Sequence, residues 1–343
     1  MEKEIKAIKE TKEFIAMTKK EFKVSNCVLC GKAIDGKCNS HSVPQFVLKE
    51  LRDNSKLFSV NSVIDYTNGG LSLKGLNNCG TFHLLCPNCD GHVFSDYENK
   101  ESLDTLPSTI TSAFGCKIMA EIMLKSCLLE YYKKQQDHYF QDAINRIPEY
   151  EPKYIGDFSS IDAKDYMNQI NNLKSIISSN SSNRFHVSCC RILDHKSKIA
   201  GQPLIAIRND MQGKILNDVF NCDSSNEIVD TQFVVFPYNN KTLVLVYCLS
   251  EHYPKLRSFL DYLESLNGNK QLRLIQATIF SYSEEIYVNK ETLDMIKNDK
   301  LSLKFASCSL EKKEVLSNLE TQEMEETPET VSLSGYNKMK LFI

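Results

Sequence analysis

The sequence lacks a long apolar run. No stretch approaches the roughly 18 consecutive apolar residues that a membrane-spanning helix needs, and the most apolar candidate, 233–249, is interrupted by Pro237, Asn239, Asn240 and Lys241. The first 23 residues contain seven Lys and five Glu, and they have no apolar core of the kind found in a signal peptide. We therefore expect a cytoplasmic protein without a membrane partner.

An excess of positive charge is also lacking. The 343 residues include 41 Lys and Arg against 44 Asp and Glu, which gives a net charge of -3. No global positive field draws the chain to nucleic acid, so any contact with phosphate has to be local. Only 13 Gly and 9 Pro, with 42% hydrophobic and 25% charged residues, exclude collagen-like, low-complexity and wholly disordered classes.

The motifs of three large enzyme classes are missing. The sequence has no GxSxG, no P-loop and no GxGxxG, so serine hydrolase, nucleoside triphosphatase and dinucleotide-binding functions have no residues to carry them. Thirteen cysteines are present instead. In a reducing compartment this number indicates free thiols and metal sites rather than disulfides.

The pattern along the chain predicts an α+β protein of about two domains. We expect five segments: an amphipathic helix over 1–24, a metal-stabilised domain over 25–108, a helical connector over 109–180, a mixed α+β domain over 181–310, and an acidic, flexible tail over 311–343. Periodicity predicts helices at 45–51, 109–147, 163–178, 254–266 and 291–296. Strands are predicted at 57–66, 185–193, 204–208, 232–237, 242–249 and 272–280. Residues 238–241, which include Asn239 and Asn240, are expected to join the strands 232–237 and 242–249 as a hairpin.

Two cysteine pairs have the spacing of a structural zinc site. Cys27 and Cys30 enclose two residues, as do Cys86 and Cys89. This spacing lets both thiolates of a pair reach one ion, and four thiolates complete the tetrahedron of a closed Zn²⁺ site. Four unrelated buried cysteines are the alternative. We leave out of this site two further cysteines that have no partner at this spacing, Cys38 and Cys79.

The residues around these pairs resemble a nuclease family. A Ser-His-x-x-Pro stretch contains Ser40 and His41, and Asp90 follows the last cysteine in Cys-x-x-Cys-Asp, before a Phe-Ser-Asp-Tyr-Glu stretch that ends at Glu98. Over residues 25–101 this pattern is similar to the zinc-stabilised, four-cysteine type of the HNH, or ββα-metal, endonuclease superfamily. The resemblance implies a hairpin, formed by a strand around His41 and one at 81–85, followed by a helix and clamped by zinc.

The resemblance also implies residue roles. His41 stands at the place of the general base that activates water, a role that suits an imidazole with an unperturbed pKa of about 6.5. A structural histidine is the alternative. Asp90 stands at the place of a ligand for catalytic Mg²⁺ or Mn²⁺, with a plain helix cap as the alternative. Further candidate ligands for this ion are His92, Glu98 and Ser40.

Two features depart from the family pattern, and a third limits the ligand set. The residue before the base is commonly Asp in the family, but Ser40 offers only a neutral hydroxyl. The family's central Asn has no secure counterpart, since Thr81 stands near its expected position. Glu98 lies eight residues beyond Asp90, about 12 Å along a regular helix, so the two carboxylates are not expected to hold one ion directly. His83 alternates with core residues on the predicted strand, and we expect it to be structural.

The resulting hypothesis is a metal-dependent endonuclease that hydrolyses DNA, with RNA as an alternative substrate. Structural Zn²⁺ and catalytic Mg²⁺ or Mn²⁺ are the implied cofactors. Local phosphate contacts are assigned to four basic residues, whose alternative role is ordinary solvated surface: Lys37, Lys49, Arg52 and Lys56.

The C-terminal domain is then expected to control the nuclease, as in the effector of a bacterial phage-defence system, in response to a small-molecule or protein trigger. A homodimer is a further expectation. The alternative function is a catalytically inactive HNH-fold zinc protein that binds nucleic acid or a protein partner, with Ser40 as the inactivating change.

Overall fold

The computed structural model of the protein describes residues 22–34, 38–52, 56–60, 74–75, 79–145, 158–219, 221, 226–283, 285–308 and 332–343. These residues contain both helices and antiparallel sheets, which confirms the α+β class. Among them, no helix combines the length and the apolar character needed to cross a membrane.

The helices are, in chain order, α1 Gln45–Glu50, α2 Pro87–Val93, α3 Lys100–Thr109, α4 Ala113–Asn145, α5 Phe158–Ser178, α6 Tyr253–Ser265, α7 Gly268–Tyr282 and α8 Lys290–Asn298. The strands are β1 Ser40–His41, β2 Lys56–Ser59, β3 Lys74–Gly75, β4 Thr81–Phe82, β5 Phe185–Leu193, β6 Ile199–Gly201, β7 Leu204–Ile205, β8 Thr231–Tyr238, β9 Lys241–Leu249 and β10 Ile286–Val288.

Eight strands form one antiparallel sheet in the order β3-β2-β10-β6-β8-β9-β5, with β7 beside β8. Its centre is the β8–β9 hairpin, whose turn residues Asn239 and Asn240 have φ angles of 47° and 60°. A tight turn with two positive φ angles matches the twist of its strands, and asparagine tolerates this conformation. The hairpin predicted from these residues is therefore confirmed.

Both faces of the central hairpin are buried, so the sheet separates two cores. On one face, Val234, Phe236 and Tyr247 pack with α4, α5 and the segment 27–106. On the other face, Phe233 and Val246 pack with α6, α7 and the C-terminal residues. Successive side chains of a strand point to opposite faces, which is why adjacent residues enter different cores.

The strand predicted at 272–280 is wrong, because these residues lie in helix α7. Apolar residues such as Leu274, Ile275, Ile279 and Phe280 are completely buried there. A short run that is apolar on nearly all sides has no clear period, so it does not distinguish a buried helix from a buried strand.

The helix predicted at 109–147 corresponds to α4, which begins at Ala113, and a separate helix that was not predicted, α3, precedes it. Asn99 caps the N-terminus of α3, because its side chain accepts a hydrogen bond from the backbone N–H of Glu101 at 2.9 Å. Ser112 starts α4 in the same way, accepting from Gly115 at 3.1 Å. The two helices approach closely at this corner, where a Cβ on Gly115 would lie 2.2 Å from the carbonyl oxygen of Thr109.

The predicted ends of the chain fall partly outside the described residues. Of the helix predicted over 1–24, only 22–24 are described; they are not helical, and Phe22 packs against Tyr132 with ring centroids 5.5 Å apart. Of the predicted flexible tail, residues 332–343 are described and packed. Their apolar side chains are buried in the core beside α7: Leu333, Tyr336, Met339, Phe342 and Ile343.

The large sheet also joins segments that the sequence assigned to different domains. Strand β2 lies in the expected metal-stabilised domain, and β10 lies in the expected C-terminal domain. They pair antiparallel, with Tyr287 opposite Ser59 and Val288 opposite Phe58. The segment that carries the cysteine pairs is therefore hydrogen-bonded to the sheet of the C-terminal half.

We predict that Gln276→Leu lowers the free energy of unfolding by about 1–3 kcal/mol for each polar group it leaves buried and unpaired. The buried Gln276 amide accepts from the backbone N–H of Phe342 at 2.6 Å and donates to the carbonyl oxygen of Lys340 at 2.7 Å. Urea denaturation followed by circular dichroism measures the effect. The exposed control Gln212→Leu should stay within about 0.5 kcal/mol of the wild type.

Candidate functional site

Four cysteines from the two predicted pairs lie together. The Sγ atoms of Cys27, Cys30, Cys86 and Cys89 are all within 4.8 Å of one another. Four thiolates at this separation can surround one ion in the tetrahedral geometry of structural zinc sites. The cluster could therefore hold a structural metal such as zinc, and Cys38 and Cys79 are not part of it.

Two short turns bring the thiols together. In the first turn, the N–H of Gly31 donates to the carbonyl oxygen of Cys27 at 2.7 Å, and Gly31 has a φ angle of 71° that favours glycine. The second turn is the start of α2, where Pro87 follows Cys86 at the first helical position. A bond of 3.0 Å from the N–H of Val28 to the carbonyl oxygen of Leu84 joins the two turns.

The surroundings shift the pKa values of two thiols of the cluster in opposite directions. Burial disfavours the thiolate of Cys27, but hydrogen bonds from backbone N–H groups outweigh it and lower its pKa to about 7. Burial and the neighbouring thiols raise the pKa of Cys89 well above its usual value. Without an ion, each thiolate makes ionisation of the neighbouring thiols less favourable, because like charges repel. A bound divalent cation offsets this repulsion.

A short antiparallel strand pair and a helix lie in the segment that carries the cysteine pairs. Strands β1 and β4 pair antiparallel, with Ser40 opposite Phe82 and His41 opposite Thr81. Helix α2 follows directly, beginning at the second cysteine pair. His41 is half-buried on β1, whereas the neighbouring Ser40 is completely buried.

Asp90 and Glu98 meet at one buried ammonium. The Nζ atom of Lys125, on α4, lies 2.7 Å from Oδ1 of Asp90 and 3.2 Å from Oε1 of Glu98. The Lys125 side chain is only 1% exposed. The same Nζ atom lies 4.0 Å from the centroid of the Phe94 ring, at cation–π distance.

The regular helix on which the expected separation of Asp90 and Glu98 depended does not continue to Glu98. That prediction assumed one regular helix, but α2 ends at Val93. The chain then turns back through 94–99, which brings Glu98 to the same ammonium as Asp90. The two carboxylates converge because the helix between them is interrupted.

Sequence reasoning missed the polar face of α4 that makes these contacts. Lys117 donates to Asp96 at 2.6 Å, Glu121 accepts from the backbone N–H of Tyr97 at 3.2 Å, and Lys125 pairs with Asp90. Positions four residues apart lie on one face of a helix. Three charges at this spacing, within an otherwise apolar stretch, were the signal that could have found this face.

The fit of a catalytic divalent ion can be tested on these contacts. Asp90 supplies the hard oxygen ligand that Mg²⁺ or Mn²⁺ prefers, and Glu98 adds a second. One oxygen of each carboxylate is, however, already paired with the ammonium of Lys125, and the second oxygen of Asp90 accepts from Cys38. In this arrangement the residues do not fit Mg²⁺ or Mn²⁺.

Cys38, outside the four-cysteine cluster, contacts this acidic site. Its Sγ atom donates to Oδ2 of Asp90 at 3.7 Å and lies 3.7 Å from the hydroxyl oxygen of Ser40. Ser40 is thus buried beside a thiol, rather than presented to solvent as an ion ligand. Burial, together with the charge of Asp90, raises the pKa of Cys38, so that it is kept as a neutral donor.

The other two histidines of this segment bond to backbone carbonyl groups. Nδ1 of His83 lies 2.8 Å from the carbonyl oxygen of Cys38, which agrees with the expected structural role. Nδ1 of the candidate ligand His92 lies 2.9 Å from the carbonyl oxygen of Asn88, one turn earlier in its own helix.

Three of the four predicted phosphate contacts can be located. Lys49 and Arg52 are exposed at the end of α1 and just beyond it, and Lys56 is exposed at the start of β2. Lys37 lies outside the described residues. A role in binding nucleic acid stays a prediction for all four.

Comparisons with protein-family models, with curated proteins and with solved structures gave no match. Membership of the HNH superfamily therefore stays a prediction that depends on the motifs and on the local geometry described above.

We predict that the chain binds one Zn²⁺ and that Cys89→Ser removes it. Loss of one thiolate leaves an incomplete tetrahedron. Metal analysis of purified protein, together with the visible spectrum of the Co²⁺-substituted form, measures binding. Cys38→Ser is the matched control, because this thiol lies outside the cluster, and it should keep a full equivalent of zinc. Equal zinc in Cys89→Ser and the wild type would contradict the assignment.

We also predict that Glu121 makes the fold less stable as pH rises. Burial raises the pKa of this carboxyl from 4.5 to about 8. The folded state therefore holds a proton that the unfolded state releases near pH 4.5, and the stabilisation is complete below that pH and lost as pH rises through 8. The effect is at most a few kcal/mol.

Urea denaturation of the wild type and Glu121→Gln, at several pH values between 5 and 9, tests this. Glutamine keeps an oxygen acceptor for Tyr97 but does not titrate in this range. As pH rises, the free energy of unfolding of the wild type should fall relative to that of Glu121→Gln. A difference that is independent of pH would show that Glu121 does not carry the effect.

Proposed function

We propose that the chain is an HNH-like endonuclease that hydrolyses phosphodiester bonds of DNA. The observation that supports this most is the arrangement of hairpin β1–β4, helix α2 and the four-cysteine cluster, which places His41 on the first strand and Asp90 on the helix. This is the order of parts that the motifs imply for a zinc-stabilised ββα module.

His41 has the role of general base in this proposal. Its half-buried imidazole takes a proton from water, and the water oxygen bonds to phosphorus as the bond from phosphorus to the leaving sugar oxygen breaks. The leaving oxygen takes a proton from solvent. The four cysteines hold the hairpin against the helix and take no part in the reaction.

The exposed basic residues at the end of α1 and the start of β2 supply phosphate contacts in this proposal: Lys49, Arg52 and Lys56. The chain as a whole has no excess of positive charge, so these local contacts have to provide the attraction. Magnesium or manganese at Asp90 belongs to the family pattern, and we assign it no step, because Lys125 holds that carboxylate.

We predict that His41→Ala lowers the rate of plasmid cleavage by about 100-fold or more, the usual contribution of a general base. Supercoiled plasmid is incubated with wild type or variant at equal zinc content, with Mg²⁺ or Mn²⁺. His138→Ala changes a half-buried histidine of α4 that is not part of the candidate site; it is the matched control and should keep the wild-type rate. The proposal is contradicted if cleavage survives His41→Ala, or if neither the wild type nor Lys125→Met cleaves.

One observation favours a second function, in which the module binds DNA or a protein but does not cleave. The family's acidic residue is replaced by a buried serine, Ser40, and the remaining carboxylate, Asp90, is paired with lysine. Under this alternative, Lys49→Ala and Lys56→Ala lower the affinity for DNA and make it less dependent on salt concentration. Neither the wild type nor any of the variants cleaves DNA.

A further inference from the structure

The pairing of Asp90 and Glu98 with an ammonium has a consequence for ion binding. We propose that Lys125 is the resident cation of this acidic pair and that it excludes a divalent ion from the two carboxylates. The inference concerns ion binding and does not need catalysis. Only its consequence for cleavage depends on the proposed function.

The contacts of Lys125 are those of a bound cation. Its Nζ atom contacts one oxygen of each carboxylate, at 2.7 Å and 3.2 Å, and faces the Phe94 ring at 4.0 Å. The side chain is 1% exposed, so water does not supply the missing contacts. Two carboxylate oxygens and an aromatic face form the environment that a desolvated ammonium needs.

A divalent ion bound between the two carboxylates would share both of these groups with Lys125. Mg²⁺ and Mn²⁺ bind carboxylate oxygens at about 2.0–2.2 Å, so an ion placed between Asp90 and Glu98 would meet the ammonium directly. Positive charges at this distance repel, and the buried position of Lys125 gives little screening by solvent. The ammonium and the ion are therefore mutually exclusive.

The rest of α4 holds Lys125 in this position. The adjacent Ser126 donates to the carbonyl oxygen of Gln202 at 2.8 Å, and the Gln202 amide donates to the carbonyl oxygen of Ile122 at 3.3 Å. One turn earlier, Glu121 accepts from the N–H of Tyr97. The helix is thus attached both to Gln202, between two strands of the sheet, and to the segment that carries Glu98, which fixes the backbone of Lys125 relative to its partners.

Replacement of the ammonium by an uncharged group of similar length should open the site. We expect Lys125→Met to bind one Mn²⁺ at least about 10-fold more tightly than the wild type. Zinc-loaded protein is titrated with Mn²⁺, and free Mn²⁺ is followed by electron paramagnetic resonance. Lys125→Arg keeps the charge and should bind as weakly as the wild type, and Lys125→Met/Asp90→Asn should lose the gain.

Two results would overturn the proposal. The first is equal Mn²⁺ binding by Lys125→Met and the wild type. The second is Mn²⁺ binding by the wild type that disappears with Asp90→Asn, since the carboxylate would then bind the ion with the lysine in place. Zinc content and circular dichroism confirm that the compared proteins are folded.

A second measurement covers the case in which Lys125→Met does not fold. The melting temperature of the wild type should not change with Mn²⁺, because an ion that does not bind does not stabilise the fold. Asp90→Asn should lower the melting temperature without Mn²⁺, since it leaves a buried ammonium with one partner fewer. Asp142→Asn, at an exposed end of α4, is the matched control and should have no effect. A rise with Mn²⁺ that requires Asp90 would overturn the proposal.

Cleavage assays on the same proteins separate this proposal from the proposed function. If Lys125→Met gains Mn²⁺ but neither it nor the wild type cleaves DNA, the ion-exclusion proposal stands and the endonuclease proposal fails. If the wild type binds Mn²⁺ through Asp90 and cleaves, the endonuclease proposal stands and the ion-exclusion proposal fails.

Discussion

A buried ammonium has to be paired, and this requirement at Lys125 determines how the N-terminal segment meets the rest of the molecule. Helix α4 presents apolar side chains to the sheet and its polar face to residues 90–98. Removing either carboxylate partner would leave charge in an apolar environment, which costs more free energy than an exposed ion pair contributes. The position of helix α4 relative to residues 90–98 is thus specified by charge, while apolar packing supplies most of the stability.

The four-cysteine cluster concerns the stability of the short strands and helix in the same segment. Strands β1 and β4 contain only two residues each, and α2 contains seven. Elements this short gain little from their own hydrogen bonds. A metal that joins the two cysteine turns would supply the missing free energy, and it would fix the hairpin relative to the helix. Cys38 belongs to neither cysteine pair, and its thiol contacts Asp90 of the acidic site instead.

Local signals predicted local structure well. The cysteine spacing predicted the cluster, and Asn239-Asn240 predicted the central hairpin, because each signal describes a turn that is complete within four residues. The contact of Lys125 with Asp90 depends on how α4 docks, and no single stretch of sequence contains that information. Glu98 was misplaced because a helix end at Val93 has no strong stop signal. The buried helix α7 was mistaken for a strand because its apolar residues surround the helix on nearly all sides.

The pairing of β2 with β10 sets an order of events during folding. These two strands are neighbours in the sheet, but they come from distant parts of the chain. During synthesis, the cysteine-bearing segment leaves the ribosome long before β10 is made. The edge of β2 that pairs with β10 therefore stays unpaired at this stage, whereas the cysteine cluster can already form. Contacts of such high sequence separation slow folding. The early metal-bound module would therefore be a separate kinetic unit, and the closing of the sheet around β10 would be the late step.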